Sequence, residues 1–152
     1  VLPLPPPTFD PSRPHLDATN DILLPFASFV PYLDLALTKV TLHASARNDF
    51  ITYWLPSFVR IHERGEEVAM RFLEQVAYEE SAKLFVQPEP EVTTRVFMLF
   101  RSVGKEEVGG WGEARERVAE VEWESVVGVK EGARDAATSR VLKWGGMEVL
   151  SR

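Results

Sequence analysis

Two arginines, Arg71 and Arg95, lie inside apolar runs, where an unpaired charge is costly. The runs "VAMRFL" and "VTTRVFMLFRSV" alternate like β-strands, so both arginines are predicted to lie in mid-strand. If the two strands are neighbours, the guanidinium groups could converge on one face and clamp a carboxylate or a phosphate. The alternative is structural ion pairing with Glu74, Glu91 or Glu148 on a solvated sheet face.

A second candidate for ligand binding is aromatic. Tyr53 and Trp54 lie in the run "FITYWLP", residues 50–56, and their polar tips favour a position at a wet edge. We predict that this run faces the hydrophobic core at the end of a helix. The alternative is an aromatic ligand-binding wall built from Tyr53 and Trp54, with Trp144 as a further candidate contact.

The run "FITYWLP" fits a helix better than a strand, because strand alternation would leave both of its faces apolar. Helical spacing instead places its large apolar residues on one side and polar residues on the other. We therefore predict an amphipathic helix over Ser45–Leu55. Thr41 or Ser45 is available as its N-cap, and Pro56 is placed where the helix must stop.

Residue types needed for several other chemistries are missing or badly spaced. The histidines His15, His43 and His62 have no i, i+3 or i, i+4 spacing for zinc, which favours solvated or capping roles. The chain has no cysteine, so disulfides, thiolate metal sites and thiol nucleophiles are excluded. There is neither a phosphate-binding loop nor a GxSxG motif. The sequence indicates no metal, no cofactor and no catalytic residue.

The charge balance argues against polyanionic partners. Lys and Arg number 17 against 23 Asp and Glu, which gives a net charge of −6. Nucleic acid and anionic membrane surfaces are disfavoured, because both bind through clusters of basic residues. We identify neither a signal peptide nor a membrane-spanning run in the given chain. A protein or a small anionic ligand is compatible with this composition, and the compartment and oligomeric state are left open.

Proline divides the chain into two parts. Eight of the 11 prolines fall within the first 31 residues, which excludes a long helix or a central strand there. We predict an extended, Pro-rich arm over residues 1–20 and one globular domain over residues 21–152. The arm is either a docking peptide, a segment that lies across the domain, or a linker.

The fold class predicted from the elements is α+β. We expect a small, mostly antiparallel sheet from residues 68–73, 84–87, 92–103 and 140–149, with one or two helices packed on one face. A further short strand is predicted at Ser125–Val129, and a bulge or turn at Gly145 and Gly146. A helix of two to three turns is predicted to end near Val40. The predicted core consists of Phe50, Ile51, Trp54, Leu55, Val68, Met70, Phe72, Val96, Met98, Phe100 and Leu142.

Three stretches, "FITYWLP", "PEPEVTTRVFMLFRSV" and "LKWGGMEV", together resemble a family of uncharacterised domains found in fungal proteins and in bacterial surface proteins. The resemblance covers roughly residues 41–103 and 140–149. It implies one compact domain and an extracellular or envelope-related setting. The family has no assigned activity, so the resemblance implies no catalytic residue.

The absence of catalytic motifs favours a non-enzymatic binding or protein-interaction module. The first alternative is a cofactor-free hydrolase that acts on a sugar or a peptide with scattered carboxylates. A second alternative is a self-associating or peptide-binding domain that uses an exposed sheet edge or the Pro-rich arm.

Overall fold

Four strands form one mixed sheet with helices on both faces in the computed structural model, which describes residues 14–81, 91–135 and 137–150. The strands are β1 (Ile22–Leu24), β2 (Glu67–Phe72), β3 (Val92–Val103) and β4 (Arg140–Glu148). Their order is β1-β2-β3-β4, with the first two pairs antiparallel and the β3–β4 pair parallel. The α+β class and the mostly antiparallel sheet are thus confirmed.

Helices are more numerous in the described residues than the one or two that the sequence led us to expect. They are α1 (Phe26–Lys39), α2 (Ala44–Glu63), α3 (Gln75–Ser81), α4 (Gly112–Arg117) and α5 (Trp123–Val127), with a short 3-10 turn at Val108–Trp111. The front face of the sheet carries α1, α2 and α5, whereas α4 and the 3-10 turn pack on the back face. Both faces are therefore covered.

The main core lies between the front face and helices α1 and α2. Alternation along β2 and β3 sends Val68, Met70 and Phe72, and then Val96, Met98 and Phe100, to this face. Helix α1 buries Phe29, Leu33, Ala36 and Leu37, spaced three and four apart. The prediction that the six strand residues enter the core is confirmed. Ile51, Trp54 and Leu142 are only partly buried, and Leu55 is 36% exposed rather than in the core.

Pro56 does not end helix α2, which corrects the prediction of a helix over Ser45–Leu55. The helix continues through the proline to Glu63. An internal proline removes one hydrogen bond and costs about 3 kcal/mol or more. Phe58 and Ile61, both 0% exposed, lie beyond it and are buried only because the helix continues, which offsets that cost.

The start of α2 is capped by His43 rather than by Thr41 or Ser45. The Nδ1 atom of His43 accepts a hydrogen bond from the backbone N–H of Ala46 at 3.2 Å. This bond satisfies one of the free amides of the first turn, as a serine or threonine cap would. The capping interpretation of this histidine is thus confirmed.

Two local predictions near the end of the chain are wrong. The predicted strand Ser125–Val129 is largely helical, because α5 covers Trp123–Val127 and ends at Gly128, whose φ is 80°. Gly145 and Gly146 form no bulge; they pair in unbroken register with Phe97 and Met98. The predicted strand 84–87 lies outside the described residues.

Trp123 explains why the segment after α4 is helical. Its side chain is 2% exposed, and its ring packs edge-on against Phe72 at a centroid distance of 5.2 Å. Its indole N–H donates to the hydroxyl of Tyr32 in α1 at 2.8 Å. A helix lets Trp123 and Val127, four residues apart, enter the core together.

Gly146 is where α2 approaches the sheet most closely. A Cβ atom built on Gly146 would lie 2.9 Å from Nε1 of Trp54 and 3.1 Å from two of its ring carbons. The neighbouring Gly145 is less crowded, since its Cβ would lie 3.4 Å from the ring of Phe97. Of these two glycines, Gly146 is the one at which an added Cβ atom would force a neighbouring side chain to move.

We expect Gly146→Ala to lower the free energy of unfolding by about 1–3 kcal/mol, because the indole of Trp54 must move out of its packed position. Gly145→Ala is the matched control and should change stability little. Urea denaturation followed by circular dichroism measures both. Equal effects of the two substitutions would show that the contact with Trp54 is unimportant.

Candidate functional site

A basic cavity of about 540 Å³ lies where the α1–α2 corner meets the first residues of β4. We call it the arginine pocket. It is lined by Thr38, Thr41, Leu42, His43, Arg47, Thr94, Ala133, Arg134, Arg140, Val141 and Leu142. Three guanidinium groups and one imidazole thus surround it, whereas no lining residue is Asp or Glu. In a chain with a net charge of −6, this is a local reversal of charge.

The corner between α1 and α2 is held in a strained conformation at Thr41. This residue has a φ of 85°, in the left-handed region that costs about 1–2 kcal/mol for a residue with a Cβ atom. Its amide donates to the carbonyl of Thr38 at 3.2 Å, and that of Leu42 donates to Leu37 at 3.0 Å. These bonds close the end of α1 and turn the chain into α2, with the strained residue on the pocket wall.

Arg47 and Arg134 brace the corner. Arg47 donates from Nε to Asp34 at 3.0 Å and from Nη1 to the carbonyl of Leu42 at 2.9 Å. Arg134 donates to the carbonyls of Thr38 and Lys39 at 3.3 and 2.5 Å, which satisfies the free carbonyls at the end of α1. Both guanidinium groups are therefore fixed in place before any ligand arrives.

Arg140 differs from the other two arginines of the pocket. It is the first residue of β4, it is exposed, and it forms no ion pair with any described residue. Nearby, the amino terminus of the 20-residue helix α2 carries a partial positive charge. Neutral His43 carries its proton on Nε2, since Nδ1 accepts from Ala46. Arg47 pairs with Asp34 at 3.0 Å and Arg134 pairs with Glu124 at 3.4 Å, so Arg140 is the arginine of the pocket whose charge is not offset by a described carboxylate.

The predicted clamp residue Arg71 lies on the back face of the sheet. Its guanidinium donates from Nε and Nη2 to the carbonyl of His15, at 3.3 and 3.1 Å. Its Nε also lies 3.6 Å from the carboxylate of Asp21. Arg71 therefore contacts the segment before β1 rather than an open cavity.

Arg95 shares the back face with Arg71, but at another place. Arg71 pairs in register with Leu99, which lies four residues beyond Arg95 on β3. The guanidinium of Arg95 stacks on the ring of Tyr78 in α3, 4.3 Å from its centroid. The structure thus places both arginines on one face of adjacent strands, each with its own neighbours.

The predicted aromatic residues lie on the front side, where α2 crosses β4. Trp54 packs edge-on against Phe100 at 5.2 Å, and Tyr53 packs against Trp54 at 4.8 Å, between ring centroids. Trp144 packs against Phe50 at 5.1 Å. Tyr53 is 68% exposed, so it is the aromatic side chain of this group that is most open to solvent. None of the three lines the arginine pocket.

Sequence reasoning missed the arginine pocket. Its arginines lie at a helix start, in a loop and at the first residue of a strand, and no local motif joins them. One signal was available: residues 132–143 hold three basic residues and one acidic residue, in an acidic chain. That local excess of positive charge marks the segment that closes the pocket.

Comparisons with known proteins identify no relative. No family model, no curated protein and no solved structure matches this chain. The resemblance to a domain family of fungal and bacterial surface proteins stays a prediction from the sequence. Function is therefore inferred from the geometry of this chain.

Two other kinds of site are absent from the described ranges. No group of three or more His, Asp or Glu side chains there could hold a metal ion. None of the helices described is long and apolar enough to cross a membrane.

A buried carboxylate lies on the back face. The side chain of Asp21 is 0% exposed, and neither of its oxygens accepts a hydrogen bond. Burial raises its pKa to about 8, and the neighbouring Arg71 offsets this only in part. Asp17, by contrast, is held by Thr19, which lowers its pKa to about 2.

Stability should fall as the pH rises from 5 to 8. The folded protein keeps the proton of Asp21 up to a pH of about 8, whereas the unfolded chain releases it near the ordinary aspartate pKa of 3.8. The unfolded state therefore binds fewer protons in this window, and the free energy of unfolding falls by up to about 1.4 kcal/mol per pH unit. Urea denaturation at pH 5, 6, 7 and 8 measures this slope.

Asp21→Asn is the matched variant, because it keeps the shape of the side chain and removes its titration. We expect its slope to be flatter than that of the wild type over the same range. The low pKa of Asp17 acts only below this range and does not interfere. Equal slopes in the two proteins would contradict the assignment to Asp21.

Proposed function

We propose that this domain is a binding module that holds an anionic group of its ligand in the arginine pocket. The observation that carries the proposal is that three arginines and no acidic residue line a cavity of about 540 Å³, and that one of the three, Arg140, has no ion-pair partner among the described residues. That volume is within the range of roughly 300–1,000 Å³ that is usual for ligand cavities. Carboxylates and phosphates are the groups that guanidinium donors match.

The two braced arginines support this proposal because they are already positioned. Arg47 uses Nε and Nη1, and Arg134 uses Nη1 and Nη2, for contacts within the protein. A guanidinium has five N–H donors, so each keeps donors for a ligand. Side chains that are fixed before binding lose little entropy on binding, which favours affinity.

The pocket also has an apolar part. Leu42, Val141 and Leu142 line it beside the arginines. A ligand with an apolar portion next to its anionic group would therefore remove apolar surface from water as well as pairing its charge.

The hydrolase alternative has less support. It would need a carboxylate of raised pKa in a cavity beside the aromatic wall of Tyr53 and Trp54. Asp21 has a raised pKa, but it lies on the back face and does not line the arginine pocket. No observation on the described residues therefore favours hydrolysis over binding.

Phosphate and citrate should raise the melting temperature of the wild type. At an anion concentration ten times the dissociation constant, binding to the folded state alone raises the melting temperature of a domain of this size by roughly 3–6 °C. Arg140→Ala should weaken binding about tenfold or more, because it removes the least engaged guanidinium of the pocket. Thermal unfolding over a range of anion concentrations measures both effects.

Arg115→Ala is the control, since it removes the same charge from a residue outside the pocket that pairs with Glu67. It should keep the response of the wild type to phosphate and citrate. If Arg140→Ala and Arg115→Ala respond alike, anions act through the overall charge and the pocket is not their site.

A further inference from the structure

Strand β4 forms one edge of the described sheet. It pairs with β3, and no other described strand pairs with it. None of its nine residues is buried; Arg140 and Lys143 are exposed, and the other seven are half-buried. The outer N–H and C=O groups of β4 are thus available for pairing.

The arginine pocket lies at the beginning of this edge. Arg140, Val141 and Leu142, the first three residues of β4, form part of its wall. Helix α2 runs beside the strand in the same direction, since Phe50 packs on Trp144 and Trp54 then lies over Gly146. The pocket therefore closes one end of a path that follows β4 and is flanked by α2.

We propose that the ligand is an extended peptide that adds to the outer edge of β4 and places its C-terminal carboxylate in the arginine pocket. This inference rests on the proposed function and names its ligand class. The peptide's main chain would pair with β4, and its terminal carboxylate would pair with guanidinium groups of the pocket, Arg140 above all.

Charge fixes the direction of the added strand. An antiparallel strand has its C-terminus at the beginning of β4, where Arg140 lies. A parallel strand would instead bring a positively charged amino terminus to the three arginines, which is unfavourable. Antiparallel addition is therefore the arrangement that fits the pocket.

The outer side of α2 offers an apolar contact to such a peptide. Tyr53 comes nine residues before His62. Nine residues make about two and a half turns, so the two side chains lie on opposite sides of the helix. His62 stacks on Phe26 of α1 with a centroid distance of 4.9 Å, so Tyr53 lies on the side away from α1. There it is 68% exposed.

The probe is a pair of synthetic pools of fluorescent octapeptides, randomised at the last five positions. One pool ends in a free carboxylate and the other in a carboxamide. Each pool is passed over the immobilised full chain, and the retained fraction is measured. Retained peptides are sequenced, and the affinity of each for the protein is then measured by titration. We expect acid peptides to bind roughly 10-fold to 100-fold more tightly than their amides.

Two variants connect the carboxylate to the pocket. Arg140→Ala should weaken the binding of the acid peptides roughly tenfold or more and leave the binding of the carboxamide peptides unchanged. Arg115→Ala should bind both kinds of peptide as the wild type does. Strand addition has its own readout: backbone amides on the outer edge of β4 should gain protection from hydrogen exchange when an acid peptide binds. Equal retention of both pools, or no added protection in β4, overturns the inference.

The remaining outcomes separate the inference from the proposed function. If phosphate and citrate bind through Arg140 but no acid peptide binds, the pocket takes small anions and the peptide inference fails. If neither anions nor peptides bind, both proposals fail. If β4 amides are already protected without peptide in a protein whose mass rises with concentration, a second copy occupies the edge, which also overturns the inference.

Discussion

Strand β3 is buried on both faces, and the other elements are positioned against it. Val96, Met98 and Phe100 project into the main core in front, while Leu99 and Val103 enter two smaller clusters behind. The strand also pairs along both edges, with β2 and with β4. Because α2 packs on Phe100 through Trp54 and Phe58, its direction over the sheet follows from that of β3.

The strands with strong alternation were predictable from the sequence, and the helix ends were not. Residues 92–103 were predicted with their observed bounds, because the segment is rich in β-branched and aromatic residues. Pro56 misled the prediction since its local cost is smaller than the burial of Phe58 and Ile61, which only the tertiary structure reveals. The same holds for Ser125–Val129, where the contacts of Trp123 outweigh local β-propensity.

The candidate site depends on register and on distant segments, which a sequence does not display. Arg71 and Arg95 lie on adjacent strands, which the clamp hypothesis required as a condition. The register of the two strands decides whether their guanidinium groups meet, and it separates the two residues by four positions. The arginine pocket draws on the α1–α2 corner, β3, β4 and the loop before β4. Composition could show that the end of the chain is locally basic, yet only the fold brings Arg47 to Arg140.

The parallel pairing of β3 with β4 has a consequence for how the chain folds. Val92 pairs with Arg140, 48 residues further along the chain, so a long loop must close before this pair of strands can form. The antiparallel pairing of β2 with β3 bridges a shorter stretch and can precede it. We therefore expect the β2–β3 pair to form before β4 joins the sheet. The arginine pocket, whose wall includes β4, is complete only once this long loop has closed, so chains in which β3 and β4 have not yet paired cannot hold a ligand there.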